Sequence, residues 1–311
     1  MKIGIIGTGY VGSTTAFALM IQGIVSQLVL IDNDSDKAEG EALDLIHSMS
    51  FVHPVEIYAG DYKDLKSSEI VIITAGPSIS KGETRLDLAN KNYKILKEII
   101  PKVMENNQDC ILLIVTNPVD VLSYAALKLS GLDKSKVIGS GTVLDSSRFR
   151  AAISRKLKVD ARNIHGYIIG EHGDSQVAAW SLTNIMGIQF DHFCKQHCDD
   201  EYDPVMKKEI ETEVRNSAYR VIEKKGATSF AVALSLSKIV KSILRDENSI
   251  LTVSTYIEDP YYGIQDVFLS LPCVVNRKGI NRVLKIPLST QEQQSLRKSA
   301  EIIKKYISHL E

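Results

Sequence analysis

Gly7-Thr8-Gly9-Tyr10-Val11-Gly12 follows a short apolar strand (Ile3, Ile5, Ile6), and about twenty residues beyond Gly12 a second apolar strand, Leu28 to Ile31, ends in Asp32. The first glycine permits a tight turn, the second lets main chain approach a pyrophosphate, and the third lets the next helix pack closely. A helix from Ser13 onward would aim its N-terminal amides and positive dipole end at the phosphates. Asp32 supplies a carboxylate for two ribose hydroxyls and would repel a 2′-phosphate, so the pattern selects NAD over NADP. A merely glycine-rich turn would leave Asp32 unexplained.

A second group of residues fits proton chemistry. Gly170-Glu171-His172-Gly173-Asp174 directly follows an apolar stretch and sets an imidazole, a group that titrates near neutrality, at a strand end between glycines. Asp145 and Arg148 are three apart at the start of a helical pattern and project from one face. Taken alone, they read equally as an ordinary ion pair on a helix surface. Arg150 is ~200° further round the helix than Arg148 and faces elsewhere. Asn117 closes the apolar strand Ile111 to Thr116 at the carboxyl edge of a sheet, where it can donate and accept hydrogen bonds; an Asn-Pro turn ending a strand is the plainer account. His192-Phe193-Cys194-Lys195-Gln196-His197-Cys198 gathers two imidazoles and two thiols, but the second ligand pair of a zinc site is absent. That segment reads as a polar surface loop, and no metal is expected.

The elements that must position these groups alternate in the first half. A strand to Ile6, a helix Ser13 to Ile21, a strand to Ile31, a polar helix Asp36 to Met49, a strand near Ile57, a strand Ile70 to Thr74, a helix from about Leu86 to Val103 and the strand Ile111 to Thr116 predict a Rossmann-type, doubly wound parallel sheet over residues 1–140. Residues 141–311 read as an α+β catalytic domain. It comprises a helix Leu144 to Leu157, a strand Ile164 to Ile169, a long helical region broken at Gly226 and resuming to Leu244, and antiparallel strands between Ile250 and Ile286. A final helix is opened by a Ser289/Glu292 capping box.

At 311 residues the chain suits two domains, and a net charge of −1 gives no pull toward nucleic acid or membrane surfaces. No apolar run reaches the ~20 residues of a membrane span, and four cysteines are too few for a disulfide scaffold. With no basic leader before the first strand, a cytoplasmic protein is expected.

The fingerprint with Asp32, Gly82-Glu83-Thr84-Arg85, Thr116-Asn117-Pro118-Val119-Asp120, Asp145-Ser146-Ser147-Arg148, Gly170-Glu171-His172-Gly173-Asp174-Ser175 and Lys225-Gly226-Ala227-Thr228 occur in one order along the chain. In these motifs the chain resembles the lactate/malate dehydrogenase family from end to end, and Asp174-Ser175 and Trp180-Ser181 are most similar to its bacterial L-lactate members. The resemblance implies an NAD-dependent oxidoreductase that reversibly transfers hydride between NADH and pyruvate to give L-lactate, in glycolysis and fermentation, as a homotetramer. By that resemblance His172 exchanges a proton with the substrate oxygen, Asp145 fixes its tautomer, and Arg148 grips the substrate carboxylate through two parallel bonds. Arg85, on a mobile loop, polarises the carbonyl, while Asn117 and Thr228 line the substrate site. Val11, Lys37, Tyr62, Ala75, Gly76, Val115 and Asn117 match cofactor contacts beside Gly7, Gly9, Gly12 and Asp32. Arg150 and His165 match an allosteric site for fructose 1,6-bisphosphate between subunits.

One position departs from the pattern. Where malate enzymes of the family carry Arg and lactate enzymes Gln, this chain has Ile79, and Lys81 replaces a usual proline. Ile79 offers no partner to a second carboxylate, whose unpaired burial would be costly. It accepts the methyl group of pyruvate, the leading substrate, and leaves room for a longer apolar side chain such as that of 2-oxoisocaproate, each buried methylene contributing ~0.8 kcal/mol. The rival within the enzyme class is a branched-chain 2-hydroxy acid dehydrogenase, and the rival of another class is a non-catalytic NAD-binding sensor that keeps the fold alone.

Overall fold

The computed structural model describes residues 1–79, 82–197 and 205–310. Its first half contains β1 (Lys2–Ile6), α1 (Tyr10–Ile21), β2 (Gln27–Ile31), α2 (Ser35–His47), β3 (Glu56–Ala59), β4 (Ile70–Ile73), α3 (Arg85–Asn106), β5 (Ile111–Ile114), α4 (Val119–Ser130) and β6 (Val137–Gly139). The six strands pair in parallel in the order β3-β2-β1-β4-β5-β6, which reverses direction between β1 and β4 and opens a crevice at their carboxyl ends. β4 and β5 are buried along their whole length, as continuous apolar runs covered on both faces must be.

The second half contains α5 (Val143–Leu157), β7 (Ile164–His165), β8 (Ile168–Ile169), β9 (Val177–Ala178), β10 (Asn184–Ile185), β11 (Ile188–Gln189), α6 (Phe190–His197), α7 (Val205–Lys225), α8 (Phe230–Leu244), β12 (Ser249–Ile257), β13 (Val267–Asn276), β14 (Gly279–Val283) and α9 (Thr290–Ile307). β12, β13 and β14 run antiparallel and extend the parallel sheet beyond β6 through a single pairing of Ser254 with Gly139. The result is one nine-stranded sheet shared by both halves. Ser289 and Glu292 form the reciprocal cap of α9 that their spacing implied.

Besides Arg85, which opens α3 rather than lying on a loop, three segments differ from the sequence reading. α1 starts at Tyr10, inside the glycine motif rather than at Ser13, because Gly9 is extended and its carbonyl already accepts the Ser13 amide at 3.0 Å. The stretch 164–169 is two short strands in separate sheets, since β7 pairs with β10 and β8 with β9. The His/Cys segment is a helix, not a surface loop. Phe190 and Cys194, four apart, are both buried, and Phe190 packs beside Trp180 with ring centroids 4.8 Å apart. Cys198 and Lys81 lie outside the described residues.

Candidate active site

Asp145 occupies the first turn of α5, where the helix dipole favours a carboxylate, and is 3% exposed. Its Oδ2 lies 2.5 Å from His172 Nδ1, and its Oδ1 accepts a hydrogen bond from an Arg148 Nη at 2.8 Å. Burial opposes charge on Asp145, but the His172 and Arg148 charges and hydrogen bonds outweigh it and hold the carboxyl below its usual range. Burial likewise opposes the imidazolium, yet the charge and hydrogen bond of Asp145, helped by Asp120, raise the His172 pKa above its ordinary value. Because Nδ1 serves Asp145, Nε2 is the nitrogen left to exchange a proton with a substrate.

The loop carrying His172 is pinned on three sides. Gly170 exchanges two main-chain hydrogen bonds with Ser270 of β13, at 2.9 and 3.0 Å. The Glu171 amide donates to Ser299 Oγ of α9 at 2.8 Å, and the His172 amide donates to Asp120 Oδ2 of α4 at 2.8 Å.

Arg85 is the first residue of α3, behind a Thr84/Asp87 capping box, and so begins a helix where the sequence reading placed it on a loop. Its guanidinium lies 3.3 Å from Glu171 Oε1 and 3.0 Å from Asp174 Oδ2, and donates to the Tyr219 hydroxyl of α7 at 3.2 Å. The arginine is thereby held beside the His172 loop by residues on both sides of the imidazole. Asn117 is exposed after β5, and its carbonyl accepts from Asn92 Nδ2 at 2.7 Å, which also donates to Pro77 O at 3.2 Å. Asn92 thus joins the loops after β4 and β5. Ile79, 48% exposed, lies in the first of these loops, and Thr228 in the connection between α7 and α8. Among the described residues, neither hydrogen-bonds to His172, Asp145 or Arg148.

At the crevice, Gly7 has φ +100°, and a Cβ on Gly12 would sit 1.9 Å from Gly7 O. The first turn of α1 thus lies against the loop, and its N-cap Gly9 supplies no side-chain cap. Asp32 Oδ2 accepts from the Thr8 amide at 2.6 Å and the Thr8 hydroxyl at 3.0 Å. Burial opposes its charge, but those bonds and the Asp34 amide keep the carboxyl below its usual range. Lys37 Nζ lies about 4.0 Å from the position of a Gly9 Cβ, a cation beside the glycine turn. A cleft of about 440 Å³ opens beside Asp32, lined in part by Ser35, Glu39, Tyr58 and Gly60. Uncapped amides, a glycine cradle and an ionised acid beyond them fit a dinucleotide with a free ribose diol. Val11 and Val115 are packed against one apolar core and Ala75 against a second, and the Tyr62 ring lies under Lys102.

Arg150 points away from this centre. An Arg150 Nη donates to Gly166 O at 3.3 Å, next to exposed His165. Sequence reasoning assigned no part to Glu171 or Asp120, although both stand within motifs it singled out. It had no signal for Asn92, Tyr219, Ser299 or Ser254, whose hydroxyl donates to Asp120 Oδ1 at 2.6 Å, because their partners are distant in the chain.

Residues 1–139 match the NAD binding domain of lactate/malate dehydrogenase, and residues 142–311 its alpha/beta C-terminal domain. An L-lactate dehydrogenase from Acetivibrio thermocellus is 53% identical over 310 residues, covering 100% of this chain and 97% of that protein. One from Thermoanaerobacter pseudethanolicus is 54% identical, covering 100% and 99%. Among solved structures, the minor L-lactate dehydrogenase from Enterococcus mundtii in its ligands-bound form superposes with a TM-score of 0.95 at 38% identity, covering 100% of this chain and 98% of that one. MGS-M5, a lactate dehydrogenase enzyme from a Medee basin deep-sea metagenome library, gives a TM-score of 0.95 at 40% identity, covering 99% and 98%.

Proposed function

The chain belongs to the lactate/malate dehydrogenase family, and on that premise we propose how its own residues carry out the reaction. The activity is the NAD-dependent interconversion of pyruvate and L-lactate. The observation that carries the residue assignment is the His172–Asp145–Arg148 chain, in which one buried carboxylate serves both an imidazole and a guanidinium.

Gly7, Gly9, Gly12, Asp32 and Lys37, with Val11, Tyr62, Ala75, Gly76, Val115 and Asn117 around them, would hold the dinucleotide. NADH, when bound, supplies the hydride. His172, kept protonated by Asp145, gives the Nε2 proton to the oxygen of the 2-oxo acid and takes it back in the reverse direction. Arg148 spends one donor on Asp145 and has further N–H groups with which to grip the substrate carboxylate in two parallel bonds. Arg85 supplies positive charge toward the developing alkoxide, while Asn117 and Thr228 border the substrate. Residues 1–140 would then serve the cofactor and 141–311 the substrate.

Ile79 supports a second substrate reading, a longer branched 2-oxo acid, since its side chain is apolar. Arg150 beside His165 supports a fructose 1,6-bisphosphate site between subunits of a homotetramer in the cytoplasm. The deciding experiment follows oxidation of NADH with pyruvate, 2-oxoisocaproate and oxaloacetate, each with and without fructose 1,6-bisphosphate. Pyruvate should be the best substrate. Oxaloacetate as the best would overturn the reading of Ile79, and NADH binding without turnover on any of them would leave only a sensor.

A further inference from the structure

Thr8 stands between the first two glycines of the turn and is 0% exposed although its side chain is polar. The main chain sets it opposite Asp32. The Gly7 amide donates to Ile31 O at 2.7 Å, and the Gly7 carbonyl accepts the Thr74 hydroxyl at 2.7 Å. One residue further along each segment, Asp32 Oδ2 accepts both the amide and the hydroxyl of Thr8, at 2.6 and 3.0 Å. Among the described residues, Asp32 Oδ1 accepts a single bond, from the Asp34 amide at 3.2 Å.

A carboxylate oxygen has two lone pairs, so Oδ2 is fully engaged while Oδ1 keeps one free. A half-buried aspartate without such bonds turns about its side chain, and immobilising it at the moment of binding weakens the complex. The amide bond is one that almost any residue at position 8 would give. The hydroxyl is particular to threonine or serine, and an apolar side chain would fill the buried position without burying a polar atom. We propose that the Thr8 hydroxyl is a specificity device for the cofactor: by fixing the Asp32 carboxylate it holds Oδ1 ready for the ribose diol of NAD and keeps a stationary negative charge where NADP carries its 2′-phosphate. The inference rests on Asp32 as the acid that meets the ribose, and it makes Thr8 a positioning residue that acts through Asp32.

The charges around Asp32 fit this role. Burial opposes its ionisation, but the Thr8 and Asp34 amides, the Thr8 hydroxyl and the Lys37 charge outweigh burial and keep the carboxyl below its usual range. A carboxylate free to rotate can retreat from an incoming phosphate. One held at Oδ2 by two donors retreats only by breaking both bonds.

The test is Thr8→Val, which keeps the amide and the side-chain shape and removes the hydroxyl. The ratio of the NADPH to the NADH dissociation constant, read by nucleotide fluorescence titration, should fall by about tenfold. In pyruvate reduction the loss should stand in KM for NADH rather than in kcat. Thr8→Ser restores the hydroxyl and should keep the parental ratio. An unmoved ratio in Thr8→Val overturns the proposal, as does an equal fall in Thr8→Ser, because a merely structural role weakens both cofactors alike and is indifferent to the hydroxyl. If Thr8→Val does not fold, Thr8→Ala, which also lacks the hydroxyl and asks for less room, decides by the same ratio. Asp32→Asn separates this inference from the reading beneath it. A parental ratio in that variant removes Asp32 from the ribose site and the inference falls with it, whereas a lowered ratio there with an unmoved one in Thr8→Val sinks the Thr8 proposal alone.

Discussion

His172 Nδ1 lies 2.5 Å from Asp145 Oδ2, and the direction of each pKa follows from the other's charge: His172 is raised and Asp145 lowered. With His172 as the proposed proton donor, reduction needs the imidazolium and oxidation the neutral ring. Pyruvate reduction should therefore persist above the ordinary histidine range and fall at higher pH, while lactate oxidation rises over the same interval. Asp145→Asn should lower kcat/KM for reduction by on the order of 10²-fold or more and move the limb to lower pH. Steady-state rates across pH in both directions check this, and a variant with the parental profile would refute the coupling.

Arg148 grips Asp145 with one donor and keeps a planar fork for a carboxylate. Lysine cannot present two parallel bonds. Arg148→Lys should cost about 1.5–3 kcal/mol in the bound substrate, on the order of 10- to 100-fold in kcat/KM, with NADH affinity unchanged. Pyruvate saturation kinetics and an NADH fluorescence titration separate the two effects; equal losses in both would point to a structural role instead.

A methyl group at position 12 has no room, since its Cβ would sit 1.9 Å from Gly7 O. Gly12→Ala must push α1 away from the turn, which should cost about 1–3 kcal/mol of stability and weaken NADH binding at least about tenfold. Thermal melts with and without NADH would show both, and the increase in Tm given by the cofactor should shrink.

What could be read from the chain was local. Asp145 and Arg148 share a helix face and Arg150 leaves it because a fixed helical rotation makes it so, and the distances bear that out. The alternation of apolar strands and helices likewise implied the parallel sheet. The misreadings arose where short range misleads. Glycines suggested a loop up to Ser13 although the helix had already begun at Tyr10, and the charged and sulfur-bearing residues near Cys194 hid the buried pair Phe190 and Cys194. The clamp on His172 was illegible for another reason. Asp120 meets Ser254 across 134 residues, and Glu171 meets Ser299 across 128, pairings set by sheet closure that leave no periodic trace.

Ile79 carries the sharpest consequence for specificity. It lies 48% exposed in the loop after β4, and where it borders the substrate as proposed it offers only methyl and methylene groups. A second carboxylate placed against it loses water and gains no partner, whereas a methyl or isobutyl group gains contact. The parent should therefore prefer pyruvate to oxaloacetate. Ile79→Arg should raise kcat/KM for oxaloacetate by on the order of 10- to 100-fold, the value of a charge-assisted pair of about 1.5–3 kcal/mol, while lowering it for 2-oxoisocaproate. Competition kinetics with the three acids measure the ratio directly. An unchanged ratio in Ile79→Arg would mean that this side chain does not face the substrate, and the selectivity would then have to come from the Thr228 side of the site.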